Sequence, residues 1–172
     1  IILNGSSTRA FNFIGIYVSS NATSNNVINN NIIGSSSVSY SIYASSTNTT
    51  GNTGQYLFGV YNGAPGYTII SNNTIGNLHN AYKGNNSLGR TSGIYNEITA
   101  GSTLIDNNIV TDIYTNTKHS GTKEYACITG ITQAGLVAGK TYILSRNKIS
   151  NIANNTANNE ISLYGIYYTS SN

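Results

Sequence analysis

The sequence predicts an all-β chain wound as a parallel solenoid of about four to five coils, each built from three short strands and lengthened by polar loops. Two observations carry that reading. The apolar runs are short, rich in β-branched residues and separated by Asn, Gly, Ser and Thr, which suits brief strands and defeats a helical period. A unit seen most clearly in residues 93–113, GIYNEITAGSTLIDNNIVTDI, also recurs around two anchors at once. Two anchors in step separate a true repeat from chance recurrence in an Asn-rich chain.

The first anchor is Gly-Ile/Val, at Gly15-Ile16, Gly59-Val60, Gly93-Ile94, Gly130-Ile131 and Gly165-Ile166, so coil units begin near 15, 59, 93, 130 and 165. The second is an Asn two residues before an apolar position, and it puts Asn31, Asn73, Asn108 and Asn147 in one column.

Taken in order, residues 1–14 give two apolar runs around a polar turn and read as the tail of a preceding coil. In the first unit GIYVSS is a strand, NATSNN a turn and VINNNII two strands across a corner. Residues 34–55 form a Ser/Thr/Asn/Gly-rich insertion with too little apolar content for a core of its own. The second unit carries the single proline, Pro65, in the turn GAPG, where its fixed φ and missing N–H do no harm. TIISNNTIGNL supplies its corner strands, and residues 79–92 are its insertion. The third unit ends in the loop YTNTKHSGTKE, the fourth in ANNTANNE, and the fifth stops after one strand. Both ends cut through the repeat, so 1–172 is expected to be a single solenoid domain excised from a longer one.

A chain that climbs one strand spacing per coil, roughly 4.8 Å, stacks like residues on one another. Three inward columns follow: Ile16/Val60/Ile94/Ile131/Ile166, Ile28/Ile70/Ile105/Leu144 and Ile33/Ile75/Val110/Ile149. At the corner each column Asn is expected to take the left-handed conformation, its amide bonding to the Asn one coil away.

Composition excludes several functions. Charged residues are 8%, against roughly 25% in an ordinary domain, so Asn, Ser, Thr and Tyr must cover the surface. The net charge of +3 is spread thinly, which is no footprint for nucleic acid. No apolar run is long enough to cross a membrane as a helix. The lone Cys127 reads as a small residue beside a buried strand.

The alternation of GI-Y with NN-x-I resembles the parallel β-helix repeat proteins, the right-handed pectate-lyase-like solenoids. The Asn/Ser/Thr/Tyr-rich style is similar to the large repetitive secreted proteins of Bacteroidota bacteria exported by the type IX route. The resemblance implies a right-handed coil and an extracellular or cell-surface address.

Enzymes of that family use clustered carboxylates, either to hold calcium or as an acid/base pair. Here Glu97, Asp106, Asp112, Glu124 and Glu160 share no column in adjacent coils, and Asp106 is placed for a diagonal ion pair with Arg146. His79 and His119 read as solvated loop residues, and Lys118, His119, Lys123 and Glu124 as a solvated charged loop. No catalytic, metal or cofactor site is expected, and the sequons at Asn21 and Asn48 read as chance.

The one surface feature above background is aromatic. Tyr17, Tyr61, Tyr95 and Tyr167 follow the inward Ile, so alternation points them outward in a column broken by Thr132 and flanked by Phe58 and Tyr164. They would contact sugar rings, or else shield strand edges and pack on the loops. The leading expectation is a non-catalytic structural or adhesive segment of a secreted or cell-surface repeat protein, its partners surface glycans, other surface proteins or more of its own solenoid. The alternative is a fragment of a carbohydrate-active β-helix, lyase-like or glycosidase-like, or a carbohydrate-binding module.

Overall fold

The computed structural model describes the chain apart from residues 6–9, 20–24, 48–53, 123–124, 157–160 and 170–172. The sequons at Asn21 and Asn48, and the charged residues Lys123, Glu124 and Glu160, lie outside the described residues. All strands pair in parallel, in three sheets that wind about four turns.

One sheet, called B, stacks β2 (Phe13–Val18), β6 (Leu57–Asn62), β9 (Thr91–Glu97), β12 (Ile128–Ala134) and β15 (Leu163–Tyr168). Each of the first four strands leads into sheet C, formed by β3 (Asn26–Asn29), β7 (Thr68–Ser71), β10 (Thr103–Asp106) and β13 (Tyr142–Ser145). Sheet C leads into sheet A, which holds β1 (Ile2–Gly5), β4 (Ile32–Ile33), β5 (Ile42–Ser46), β8 (Thr74–Asn80), β11 (Ile109–Thr115) and β14 (Lys148–Asn154).

The three expected inward columns are the register of the three sheets: Ile16 lies beside Val60, Ile94, Ile131 and Ile166 in turn, and the other two columns align likewise. The middle rungs are fully buried, whereas Ile166 in the last strand is exposed. A fourth column, Ile42/Leu78/Ile113/Ile152, completes the core from the far half of sheet A.

The Gly anchor has a steric cause. A Cβ placed on Gly93 would stand 2.4 Å from Val110 Cγ1 of sheet A and 2.7 Å from the Gly130 carbonyl oxygen of the next rung. Gly59 is equally confined, by Ile75 and by the Gly93 carbonyl. The glycine is thus the point where sheet B passes closest to the side chains of sheet A.

Two expectations need correcting. The left-handed residue at the corner between sheets C and A lies one position before the ladder Asn: Asn30, Asn72, Asn107 and Arg146 have φ of 56°, 55°, 53° and 53°. The turn comes first because the following Asn must turn its amide inward. Residues 34–55, read as a polar insertion, contain β5, whose Ile42 and Ala44 are buried in the common core. That strand pairs with β1 on one side and with the second half of β8 on the other.

Candidate functional site

The Asn column forms a continuous ladder. The backbone N–H and Nδ2 of Asn31 both donate to Asn73 Oδ1, at 3.0 and 2.9 Å. Asn73 donates in the same way to Asn108 Oδ1, and Asn108 to Asn147 Oδ1, at the same two distances. Each inner amide also donates to a carbonyl of the strand below, Asn73 to Ile28 and Asn108 to Ile70, both at 2.9 Å. The ladder therefore satisfies corner backbone groups that no strand partner reaches.

A second, buried ladder lies at the end of sheet B. Asn62 Nδ2 donates to Asn96 Oδ1 at 2.7 Å, and Asn96 Nδ2 to Gln133 Oε1 at 2.6 Å, with Thr68 and Thr103 hydroxyls accepting alongside. Among the described residues Asn62 Oδ1 has no donor, because its neighbour in the rung below is Val18.

Tyr17, Tyr61, Tyr95, Thr132 and Tyr167 occupy one register column. The rings stack on one another along the solenoid axis: Tyr17 on Tyr61 at 5.3 Å between centroids, and Tyr61 on Tyr95 at 5.7 Å with planes 5° apart. Phe58 joins them, 5.0 Å from Tyr95, and Tyr56 stacks on Phe58. Rings spaced by the rung repeat hide their faces on each other and offer edges and hydroxyls outward. Exposure falls along the column, from 61% at Tyr17 to 3% at Tyr95, and Phe58 is only 2% exposed. The Arg90 guanidinium covers this end, 5.0 Å from the Tyr95 centroid and 5.2 Å from Tyr125, with its Nη1 donating to the Tyr95 hydroxyl. Tyr164 and Tyr167 form a separate tilted pair on the last strand.

A shallow cleft remains, lined by Ile14, Tyr17, Tyr56, Phe58, Tyr61, Arg90 and Glu97. Burial, and then the neighbouring Glu97 carboxylate, push the Tyr61 phenol above its usual range. Sequence reasoning left Tyr56 and Arg90 out and read Glu97 only as an isolated carboxylate; Tyr56 and Arg90 stand just before β6 and β9, and Glu97 closes β9, all outside the tyrosine column.

The described carboxylates sit apart, each engaged with its own neighbours. Asp106 accepts from Arg146 and, at 2.7 Å, from the Ser145 hydroxyl; the guanidinium first and the hydroxyl second hold its carboxyl below the usual range. Asp112 accepts from Thr111, Tyr114 and Asn151. Glu97 accepts from Tyr61. Among the described residues no group of three His, Cys, Asp or Glu side chains is placed to hold a metal ion.

Both histidines depart from the solvated-loop expectation. His79 lies on β8, packed 4.3 Å from Tyr40 and 5.2 Å from Tyr43, with Nε2 bonded to Asn116 Oδ1 at 2.7 Å. His119 is buried: its Nε2 meets the Gly89 carbonyl at 2.9 Å, while the Gly121 N–H donates to Nδ1 at 3.0 Å. That pairing fixes the neutral ring with its proton on Nε2. Burial lowers its pKa, with Arg90 adding to the effect. Cys127 is buried beside it, its thiol donating to the His119 carbonyl, and burial raises its pKa.

Comparison with known proteins finds no family model, no curated protein and no solved structure that matches this chain.

Proposed function

We propose that the chain is a non-catalytic structural or adhesive segment of a secreted or cell-surface repeat protein, in which the solenoid is a stalk and its outer walls and loops are the contact surface. The observation that supports this best is the use of the few charged groups. The described carboxylates Glu97, Asp106 and Asp112 lie in different strands and each bonds to its own neighbours, so no two of these three converge on a common point as an acid/base pair. The register of like residues, by contrast, runs through every sheet. Such a one-dimensional stack gains stability by adding rungs and gives long, regular outer faces. A surface of Asn, Ser, Thr and Tyr in place of charge, and the resemblance to secreted Bacteroidota repeat proteins, support an extracellular or cell-surface address.

A glycan array followed by assays for reducing ends and unsaturated products, run on the full-length protein, tests the proposal. Binding without turnover is the expected result. Turnover would replace it with the reading of a carbohydrate-active β-helix segment.

A further inference from the structure

The outer edge of sheet A carries a groove that the aromatic wall of sheet B does not share. Tyr43, Ser45, Ser46, Thr47, His79, Ala81, Lys83 and Asn116 line it. It continues past Lys83 and Asn116 to Lys118, Asn155 and Thr156, and so crosses successive rungs along the axis. Tyr43, His79 and Tyr114 share one register column on the outside of this sheet.

The chemistry of the lining is lopsided. Asn116 Oδ1 is committed to His79 Nε2, which leaves the Asn116 amide nitrogen as the group that still donates. Lys83 is exposed and, among the described residues, has no carboxylate partner. Asp106, Glu97 and Asp112 are bound elsewhere and the Ser45 hydroxyl donates to Asn4, so among the described residues Lys83 and the Asn116 amide nitrogen face the groove without a carboxylate to match them. The edge-on Tyr43–His79 pair presents an apolar surface beside these donors.

We propose that this groove binds an acidic glycan lying along the solenoid axis, with a charged group on Lys83, hydroxyls on Ser45, Thr47 and Asn116, and an apolar sugar face against Tyr43 and His79. The proposal rests on the adhesive reading above and names its ligand class and place. A polynucleotide is the poorer fit, because tight binding to phosphates takes on the order of 6–10 cationic contacts. The groove offers Lys83 and, further along, Lys118. A lysine ammonium is a point charge that accepts carboxylate or sulfate alike, so the source of the anion is left to the experiment.

The intact chain is titrated calorimetrically with alginate oligosaccharides (uronate), with dextran sulfate and with plain dextran, in calcium-free buffer at about 50 and about 500 mM salt. At least one acidic polymer binds, plain dextran does not, and high salt weakens the binding. Lys83→Gln lowers affinity roughly five- to tenfold, as expected for one exposed charge pair, and Lys83→Arg retains it. The melting temperature of Lys83→Gln stays at the wild-type value, since Lys83 is exposed. Preference for alginate or for dextran sulfate assigns the anion. Equal binding of plain dextran, or full affinity in Lys83→Gln, overturns the groove while leaving the adhesive reading in place. Binding to none of the three polymers likewise overturns the groove, and turnover of any of them removes the adhesive reading instead.

Discussion

Replacing Gly93 by Ala tests the packing of the whole solenoid with one methyl group. The new Cβ would lie 2.4 Å from Val110 Cγ1, 3.0 Å from Val110 Cγ2 and 2.7 Å from the Gly130 oxygen. Carbon atoms prefer about 3.5–4.0 Å, so the first contact is short by more than 1 Å. Neither neighbour yields easily, because valine is stiff at χ1 and the carbonyl belongs to the backbone of the next rung. Overpacking of this kind costs about 1–3 kcal/mol, and the backbone contact puts Gly93→Ala at the upper end. Gly165 occupies the same column on the last rung, where a Cβ would meet nothing within 4 Å. Gly165→Ala should therefore be neutral, or stabilising by about 0.4–1 kcal/mol through the unfolded state. Thermal melts followed by circular dichroism should separate the two by roughly 6–12 °C, taking about 3 kcal/mol at about 2–4 °C per kcal/mol for a chain of this size. Val110→Ala in the Gly93→Ala background should recover part of the loss. Equal melting of Gly93→Ala and Gly165→Ala would refute the claim that the glycine column is set by close approach.

In the corner ladder, Asn108→Leu strips the buried Asn73 N–H of its acceptor and should cost about 1–3 kcal/mol, whereas Asn31→Leu removes no acceptor from another rung and should cost less. A urea midpoint series reads the difference, and equal costs would deny the ladder its role. His119 gives a pH dependence. Its folded pKa lies below the unfolded value of 6.5, so the unfolded chain binds more protons in that range, and stability falls as pH drops below 6.5. Asp106, also depressed, adds a second loss that begins only below its unfolded value of 3.8. Unfolding followed from pH 8 to pH 3 should show the first loss in the wild type and not in His119→Gln; an identical profile in both would dismiss the histidine.

Legibility in the sequence followed the regularity of each column. The Ile/Val/Leu stacks were readable because one residue class recurs on every rung, and the corner ladder because Asn itself recurs. Its left-handed turn was misplaced for a specific reason. Asn30-Asn31, Asn72-Asn73 and Asn107-Asn108 are identical pairs, and only Arg146-Asn147 tells the positions apart. Strand β5 was hidden because the first coil is the longest, and its extra residues interrupt the repeat just where Ile42 and Ala44 rejoin the core. The histidines were misread through the same irregular spacing. The tyrosine column was legible as a register, but not the stacking and the Arg90 cover that bury its inner end, since those depend on a loop side chain reaching across rungs.

The two amide ladders look alike but differ in what they satisfy, and that difference can be measured. The ladder of Asn62, Asn96 and Gln133 joins side chains to side chains, with Thr68 and Thr103 hydroxyls as further acceptors, and touches the backbone only where Gln133 Nε2 donates to the Ala134 carbonyl. A single Asn96→Leu there strands Gln133 Oε1 and leaves Asn62 Nδ2 with Thr68 alone, at about 1–3 kcal/mol per orphaned group. Converting all three amides to Leu together with Thr68→Val and Thr103→Val removes every side-chain partner at once and costs only the Ala134 carbonyl its Gln133 donor, and an apolar replacement of a whole buried network is often neutral or stabilising. The multiple variant should therefore be more stable than the single one. The corner ladder cannot be rescued in this way, because its amides hold the backbone N–H groups of Asn31, Asn73 and Asn108 and the carbonyls of Ile28 and Ile70. Changing Asn31, Asn73, Asn108 and Asn147 to Leu together should accumulate the single costs and unfold the chain in the melting assay. If the corner column tolerated full replacement as well as the inner one does, its amides would be ornaments of the repeat, and the turn between sheets C and A would owe its shape to the left-handed residues alone.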